Sequence, residues 1–229
     1  MTGAVPHGLS AALRPVVLMF ALGREAAPLR AWVRAEPRVL LRVTGGGRAR
    51  AERAVEEVLR ECLPALVITG GFAGALRPEL GLGTVLYAME PGHAFAGCLR
   101  RAGAQPARFH GAERMLITAR EKAECHAQTG ADAVEMESAW IEARCREAGV
   151  ACATVRAVSD EAGEDLPLDF NRLGTPDRPL SPWKLAGAVL QAPGVIPGLL
   201  RLRAQTDLAG RALAGVLQRA LQDWLAGSG

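Results

Sequence analysis

The sequence predicts an α/β fold: a single three-layer domain in which helices cover both faces of a central mixed sheet. Short apolar runs suited to strands alternate along the chain with segments of helical character. The first run is apolar at every position, which is typical of a strand covered on both faces. A length of 229 residues suits one substantial domain and is short for two.

Each predicted strand is an apolar or β-branched run. Residues 15–21, PVVLMFA, form the first and most apolar of them. The others lie at residues 38–44, 65–69, 83–87, 114–118 and 150–158. The run that ends at Thr69 leads directly into the glycine-rich residues 70–74, which we interpret as a turn.

Helical segments separate these strands. Residues 25–35 have helical character, and from Arg48 apolar residues recur at helical spacing as far as Cys62. Another helix is predicted at residues 137–148, ending before Gly149, because glycine is favoured just beyond a helix C-terminus.

The last part of the chain has a different character. Residues 161–182 contain four prolines and many polar residues, so we expect a long loop. Residues 183–225 are predicted to be helical, with an interruption at 193–198. Residues 161–229 are therefore expected to be a proline-rich loop and a helical extension of one domain that spans residues 1–229.

Composition excludes several classes of function. The net charge of +3 and an aromatic content of 4% give no indication of a nucleic-acid partner. The longest stretch without charge, residues 185–200, has 16 residues and two prolines, too few to span a membrane. Five cysteines without metal-site spacing predict free thiols in a reducing cytoplasm and no metal site.

Chemically active residues follow several of the predicted strands, where ligands of α/β sheets bind. These segments are residues 23–25, residues 70–74, residues 133–138 and residues 159–161. Each has an ordinary explanation when taken alone. Glu25 suits the first turn of a helix, Ser159 and Asp160 suit a helix cap, and Glu135 and Glu137 suit a salt-bridged surface pair. Their occurrence together, in this order, is the stronger signal.

Two segments in this order resemble the signature of the nucleoside phosphorylase/nucleosidase superfamily: residues 133–137, AVEME, and residues 155–160, VRAVSD. Within it, the chain is similar to the 5′-methylthioadenosine/S-adenosylhomocysteine nucleosidases. That similarity also includes Glu25, the glycine-rich segment with residues 76–80, LRPEL, and Gly83. It covers roughly residues 15–165 and implies a nucleoside phosphorylase-like fold.

A finer likeness is to the hopanoid-associated phosphorylase-type subfamily. It is carried by residues 118–122, residues 129–131, residues 135–138 and residues 197–203. Members of that subfamily remove adenine from adenosylhopane during bacterial hopanoid lipid synthesis. The resemblance implies that the substrate is a small or lipid-linked adenine nucleoside with a 5′-substituent.

The resemblance also implies a role for each candidate residue. Asp160 matches the acid that protonates the purine at N7, which requires burial or a like charge to keep the carboxyl protonated. Glu25 matches the base that activates water. Glu137 matches the residue that binds the ribose hydroxyls, and Met136 is expected to pack under the ribose. The pocket for base and nucleophile is expected to include Phe72, Ala73, Gly74 and Ser159.

The same resemblance leaves hydrolysis and phosphorolysis open. Phosphorylases of the superfamily usually place an arginine before the glycine segment, where this chain has Thr69, and Phe72 replaces a small hydroxyl residue. Glu25 therefore favours hydrolysis. Arg24 and Arg48 are the candidates for binding phosphate if inorganic phosphate is a co-substrate; no other cofactor is expected.

Two departures from the family limit the comparison. The loop that contacts adenine in nucleosidases is shortened around residues 117–125, so no base-recognition residue is assigned. The C-terminal part is longer, and its apolar residues with Arg201 and Arg203 suit a peripheral membrane contact through residues 183–203. A helix that packs on the core is the alternative. We also expect a cytoplasmic homodimer, at most peripheral to the inner face of the membrane, because superfamily relatives are homodimers or larger.

Overall fold

The computed structural model describes residues 14–174 and 182–227. Its strands are β1 (Val16–Phe20), β2 (Val39–Val43), β3 (Leu66–Ala75), β4 (Val85–Met89), β5 (Gln105–Pro106), β6 (Phe109–Gly111), β7 (Ala133–Glu135) and β8 (Ala151–Asp160). Its helices are α1 (Gly23–Ala26), α2 (Arg30–Ala35), α3 (Arg48–Cys62), α4 (Ala94–Arg101), α5 (Ala119–Thr129), α6 (Ser138–Glu147), α7 (Phe170–Leu173), α8 (Pro182–Gln191) and α9 (Ile196–Gly227). This is the predicted alternation of strands and helices.

The strands form one mixed sheet in the order β2-β1-β3-β8-β4-β5. β1, β2, β3 and β8 run parallel, and β4 runs antiparallel to β8. β7 pairs antiparallel with the end of β3 and parallel with β6. The prediction of a mixed sheet is confirmed.

Helices cover both faces of this sheet, as predicted. On one face, side chains of α4 and α9 pack with Val16, Leu18 and Phe20 of β1. On the other, side chains of α3 and α6 pack with Val17 and Met19 of the same strand. The alternation of contacts along β1 explains why this run is apolar at every position.

The glycine-rich segment 70–74 is not the predicted turn. β3 continues through it, and these residues pair in parallel with β8. Glycine is required here for space: a Cβ at Gly70 would lie 2.5 Å from Phe20 Cε1, and one at Gly74 would lie 2.9 Å from Asp160 Oδ2. Glycine in this strand therefore marks a close approach of neighbours.

Two further predictions are corrected by the structure. Residues 114–118 are not a strand but lead into α5, where Thr118 Oγ1 accepts a hydrogen bond from the backbone N–H of Glu121 (3.1 Å). Residues 25–35 are not one helix, because a 3-10 turn containing Pro28 separates α1 from α2. Proline has no N–H to continue the helical hydrogen bonds.

The C-terminal region is helical, and a break at Pro193–Val195 separates α8 from α9. The predicted loop at 161–182 contains the short helix α7, and its residues 175–181 lie outside the described part of the chain. Among the described residues, no helix is long and apolar enough to cross a bilayer.

Candidate active site

The candidate residues meet at one edge of the sheet. β1, β3 and β8 run parallel, so their carboxyl ends lie side by side. Glu25 follows β1 in α1, Gly74 lies near the end of β3, and Asp160 is the last residue of β8. Glu137 comes just after β7, which pairs with the end of β3. The topology thus collects segments that are far apart in sequence.

Glu25 is buried beside the middle of β3. Its Oε2 accepts a hydrogen bond from the backbone N–H of Leu22 at 2.8 Å, and a Cβ at Gly71 would lie 3.3 Å from its Oε1. Burial raises the pKa of Glu25, and this effect outweighs the Leu22 hydrogen bond and the positive charge of Arg156. A carboxylate with a raised pKa is a better proton acceptor than one in water.

A buried ion pair supports this part of the site. Arg156 Nη2 lies 2.8 Å from Glu135 Oε2, and both side chains are almost fully buried. Arg156 also donates hydrogen bonds to the carbonyl oxygen of Thr69 (2.7 Å) and to Thr69 Oγ1 (3.0 Å). Burial disfavours the charged form of Glu135, but Arg156 and the backbone N–H groups of Glu137 and Ser138 hold its pKa below the usual value.

The explanation of Glu135 and Glu137 as a surface pair is therefore wrong. Glu135 is buried and bound to Arg156, a residue that sequence analysis did not single out. The signal for Arg156 was a cation within the apolar run of residues 150–158. An arginine in the middle of a covered strand requires a buried anion.

The carboxyl of Glu137 is strongly perturbed. Burial raises its pKa to about 7, and the nearby Glu135 and Glu25 add to the effect while Arg156 opposes it. Met136 next to it is half-buried. Three glutamates and one arginine thus share a small volume, with one glutamate neutralised by the arginine.

Asp160 is held by two neighbours. Its Oδ1 accepts a hydrogen bond from Ser159 Oγ at 2.8 Å, and its Oδ2 lies 2.6 Å from Nζ of Lys122, a buried lysine on α5. The expected surroundings were apolar groups or a like charge, but the charged neighbour is a cation. Sequence analysis used Lys122 only as part of a likeness and missed this contact.

The remaining pocket candidates Ser159, Ala73 and Phe72 lie at different distances from these carboxyl groups. Ser159 Oγ also lies 3.5 Å from the carbonyl oxygen of Ala73, and the backbone N–H of Phe72 is near Glu25. Phe72 faces Gly210 of α9, where a Cβ would lie 3.7 Å from its ring.

The two phosphate candidates are both on the surface. Arg24 is exposed next to Glu25. Arg48 stacks over the ring of Trp140 at 3.8 Å and pairs with Glu52 at 3.2 Å, so its guanidinium already has partners.

The shortened segment around residues 117–125 forms its own hydrogen bonds. The backbone N–H of Ile117 donates to Glu121 Oε2 at 2.7 Å, and its carbonyl accepts from the N–H of Leu166 at 2.8 Å. Within the described residues, no group of three His, Cys, Asp or Glu side chains has an arrangement that would hold a metal ion.

Part of the chain that contains this site matches a known protein family. Residues 107–175 match the model of the Phosphorylase superfamily. This segment contains Lys122, Glu135, Glu137, Arg156 and Asp160, most of the site just described. The superfamily resemblance found in the sequence is thereby confirmed.

Similar proteins agree with that match. A 5′-methylthioadenosine/S-adenosylhomocysteine nucleosidase of Anoxybacillus flavithermus is 28% identical over 169 residues, 58% of this chain and 72% of the relative. The futalosine hydrolase of Helicobacter pylori has a similar structure, with a TM-score of 0.71 and 13% identity over 93% of this chain and all of that one.

A nucleosidase of the same organism, solved with butyl-thio-DADMe-Immucillin-A, has a TM-score of 0.70 at 13% identity, over 92% of this chain and 99% of its own. The chain therefore has the predicted nucleoside phosphorylase-like fold.

Proposed function

We propose that this chain is an enzyme that hydrolyses the N-glycosidic bond of a 5′-substituted adenine nucleoside. The observation that carries the proposal is the set of two buried carboxyl groups, Glu25 and Asp160, with the partly buried Glu137 near the end of β3. Burying carboxyl groups costs free energy, so their collection at one sheet edge favours a chemical role over a structural one. The nucleosidase relative and the nucleosidase-like fold support the same reaction.

In the proposed reaction, Glu25 accepts a proton from water as the water oxygen bonds to C1′ of the ribose. Asp160, which Ser159 and Lys122 hold, takes up a proton from solvent when the nucleoside binds. The C1′–N9 bond breaks, its electron pair goes to the purine, and Asp160 donates this proton to N7. Adenine and the free sugar leave, and Glu25 returns its proton to the medium. A general base and a general acid of this kind each contribute about 10²–10⁴-fold to the rate.

Glu137 is proposed to bind the ribose hydroxyls while Met136 packs under the ring. In its ionised form, Glu137 stabilises the positive charge that develops on the sugar in the transition state. Phe72, Ala73, Gly74 and Ser159 are proposed to line the pocket for the base and the water.

Hydrolysis is favoured over phosphorolysis by the charges around the site. A phosphate ion needs free cationic donors, yet Arg156 is bound to Glu135 and Thr69, and Arg48 to Trp140 and Glu52. Glu25 and Glu137, which form no ion pair with Arg156, repel an anion when they are ionised. Phosphorolysis, with Arg24 as a remaining cation, is the alternative outcome of the test below.

We further propose that the substrate is adenosylhopane, as the resemblance to the hopanoid-associated subfamily implies. Trp183 and Leu190 of α8 support a contact with a lipid substrate or membrane surface, because their side chains are 87% and 86% exposed. Ile196 and Leu200 at the start of α9 are exposed as well. The side chain of Leu185, part of the same predicted segment, lies outside the described residues. A cytoplasmic location and a homodimer remain proposals based on the resemblance.

The experiment is to measure adenine release from adenosylhopane, methylthioadenosine and S-adenosylhomocysteine, each with and without inorganic phosphate. We expect release without phosphate, fastest from adenosylhopane, and a loss of about 10²-fold or more in Asp160→Asn. Turnover that requires phosphate contradicts the hydrolase assignment. Tight binding of nucleosides without turnover identifies a silent binding protein instead, and unchanged turnover in Asp160→Asn contradicts the assignment of the acid.

A further inference from the structure

We propose that Lys122 is the positioning residue of Asp160, holding its carboxyl in the orientation from which a proton taken up on substrate binding passes to the purine. The inference rests on the proposed function, since it assigns Lys122 a role in the same reaction. Lys122 acts through Asp160 and does not contact the substrate.

Three acceptors meet at the Lys122 ammonium group. Nζ lies 2.6 Å from Asp160 Oδ2 and donates hydrogen bonds to the carbonyl oxygens of Glu161 (2.7 Å) and Glu164 (3.0 Å). An ammonium group has three N–H donors, so all are used. Lys122 is fully buried, and these three contacts offset the cost of removing its charge from water.

The choice of residue type is informative. Of the 27 cationic side chains in the chain, only Lys122 and Lys184 are lysines. A guanidinium is planar and wide, whereas an ammonium is a compact charge whose three donors reach acceptors in different directions. One of the two lysines of this arginine-rich chain thus lies where three acceptors, Asp160 among them, converge on its ammonium group.

Hydrogen bonds at the start of α5 fix the position of the helix that carries Lys122. Thr118 and Glu121 form reciprocal hydrogen bonds at the start of the helix. The backbone N–H of Ala119 donates to Asp165 Oδ1 at 2.7 Å, which ties the same helix end to the turn after β8. The lysine is thus fixed relative to the strand that carries Asp160.

The Asp160 carboxyl is held from three directions. Ser159 binds Oδ1, Lys122 binds Oδ2, and Gly74 lies so close that a Cβ there would be 2.9 Å from Oδ2. Glu161 and Glu164 contact Lys122 through their backbone carbonyls, and their carboxylates have other partners: Glu161 Oε1 accepts from the N–H of Leu82, and Glu164 accepts from Gln205 Nε2. Among the described residues, Asp160 is the carboxylate that forms an ion pair with Lys122.

The test is a double-mutant cycle with Lys122→Met, Asp160→Asn and the combined variant, measuring adenine release and thermal unfolding. We expect Lys122→Met to lower kcat about 10- to 100-fold with a change in KM of less than about threefold. In the Asp160→Asn background the same substitution should lower kcat no further. Arg120→Met is the matched control, because Arg120 is an exposed cation two residues away on α5, and its kcat should match that of the wild type.

Each other result overturns the inference. A kcat for Lys122→Met within threefold of the wild type, or an equal loss in both backgrounds, shows that Lys122 does not act through Asp160. If Lys122→Met does not fold, Lys122→Gln takes its place with the same expectations, and unfolding of both variants shows a structural role only. A wild-type chain that releases no adenine from any nucleoside overturns the proposed function itself. The results with the Lys122 variants leave the proposed function intact.

Discussion

Glu135 and Glu137 are two residues apart, yet the structure gives their carboxyl groups opposite properties. Arg156 and two backbone N–H groups hold the pKa of Glu135 below its usual value. At Glu137, burial outweighs the attraction of Arg156 and raises the pKa to about 7. Glu135 therefore maintains the architecture of the site. The ionised form of Glu137 is unfavourable in the empty site, and a positively charged sugar would stabilise it.

This difference predicts that Glu137→Gln stabilises the protein at high pH and removes its activity. A raised carboxyl pKa means that the native state binds more protons than the unfolded state. The free energy of unfolding that Glu137 costs the protein therefore grows as pH rises from about 4.5 through about 7. At pH 8 the neutral glutamine should raise the free energy of unfolding by up to about 3 kcal/mol, and at pH 5 by little.

Urea unfolding at pH 5 and pH 8 measures this effect, and adenine release measures the loss of activity. Glu57→Gln on the exposed side of α3 is the control, because the same change at the surface should leave unfolding within about 0.5 kcal/mol at both pH values. A gain for Glu137→Gln that is equal at both pH values contradicts the prediction.

Among the elements, β3 connects the sheet to the site. Its glycines let the Phe20 ring and the Asp160 carboxyl lie directly against its backbone. A turn would have ended the sheet before the site, whereas the continued strand carries Gly74 beside Asp160 of β8.

Gly70→Ala should therefore destabilise the protein by about 1–3 kcal/mol, the usual cost of overpacking a core. The added Cβ would lie 2.5 Å from Cε1 of Phe20, whose ring is buried in the core. Thermal and urea unfolding measure the change. Gly194→Ala is the control, because a Cβ there has no neighbour within 4 Å; equal stability of the two variants contradicts the explanation.

The sequence predicted those parts of the fold that depend on local pattern. Apolar runs located β1, β2 and β8, because a strand covered on both faces is apolar along its length. Helical spacing located α3 and α6, because burial of one helix face places apolar residues at that period. The glycines of β3 and the run at 114–118 were misinterpreted. In the sequence, a glycine that allows close approach of neighbouring groups cannot be distinguished from a glycine in a turn. Partners such as Arg156 and Lys122 come from other segments, and no local pattern specifies them.

At the scale of the whole molecule, α9 links the core to the edge of the site. Its first turns carry exposed side chains and Gln205, which binds Glu164 in the turn that Lys122 also holds. Its later turns bury Leu213, Leu217 and Leu221 against the face of the sheet that packs Phe20. The C-terminal helix is thus part of the layered core in its second half.

Because of this burial, Leu217→Ala should lower the free energy of unfolding by about 2–5 kcal/mol through lost apolar contact and a cavity. Leu200→Ala, at an exposed position of the same helix, makes the same chemical change and should cost less than about 0.5 kcal/mol. Urea unfolding of both variants measures the difference. If the two costs are equal and small, α9 does not contribute to the core. If Leu200→Ala instead reduces adenine release only from the lipid-linked nucleoside, the exposed half of the helix serves the substrate while the buried half serves stability.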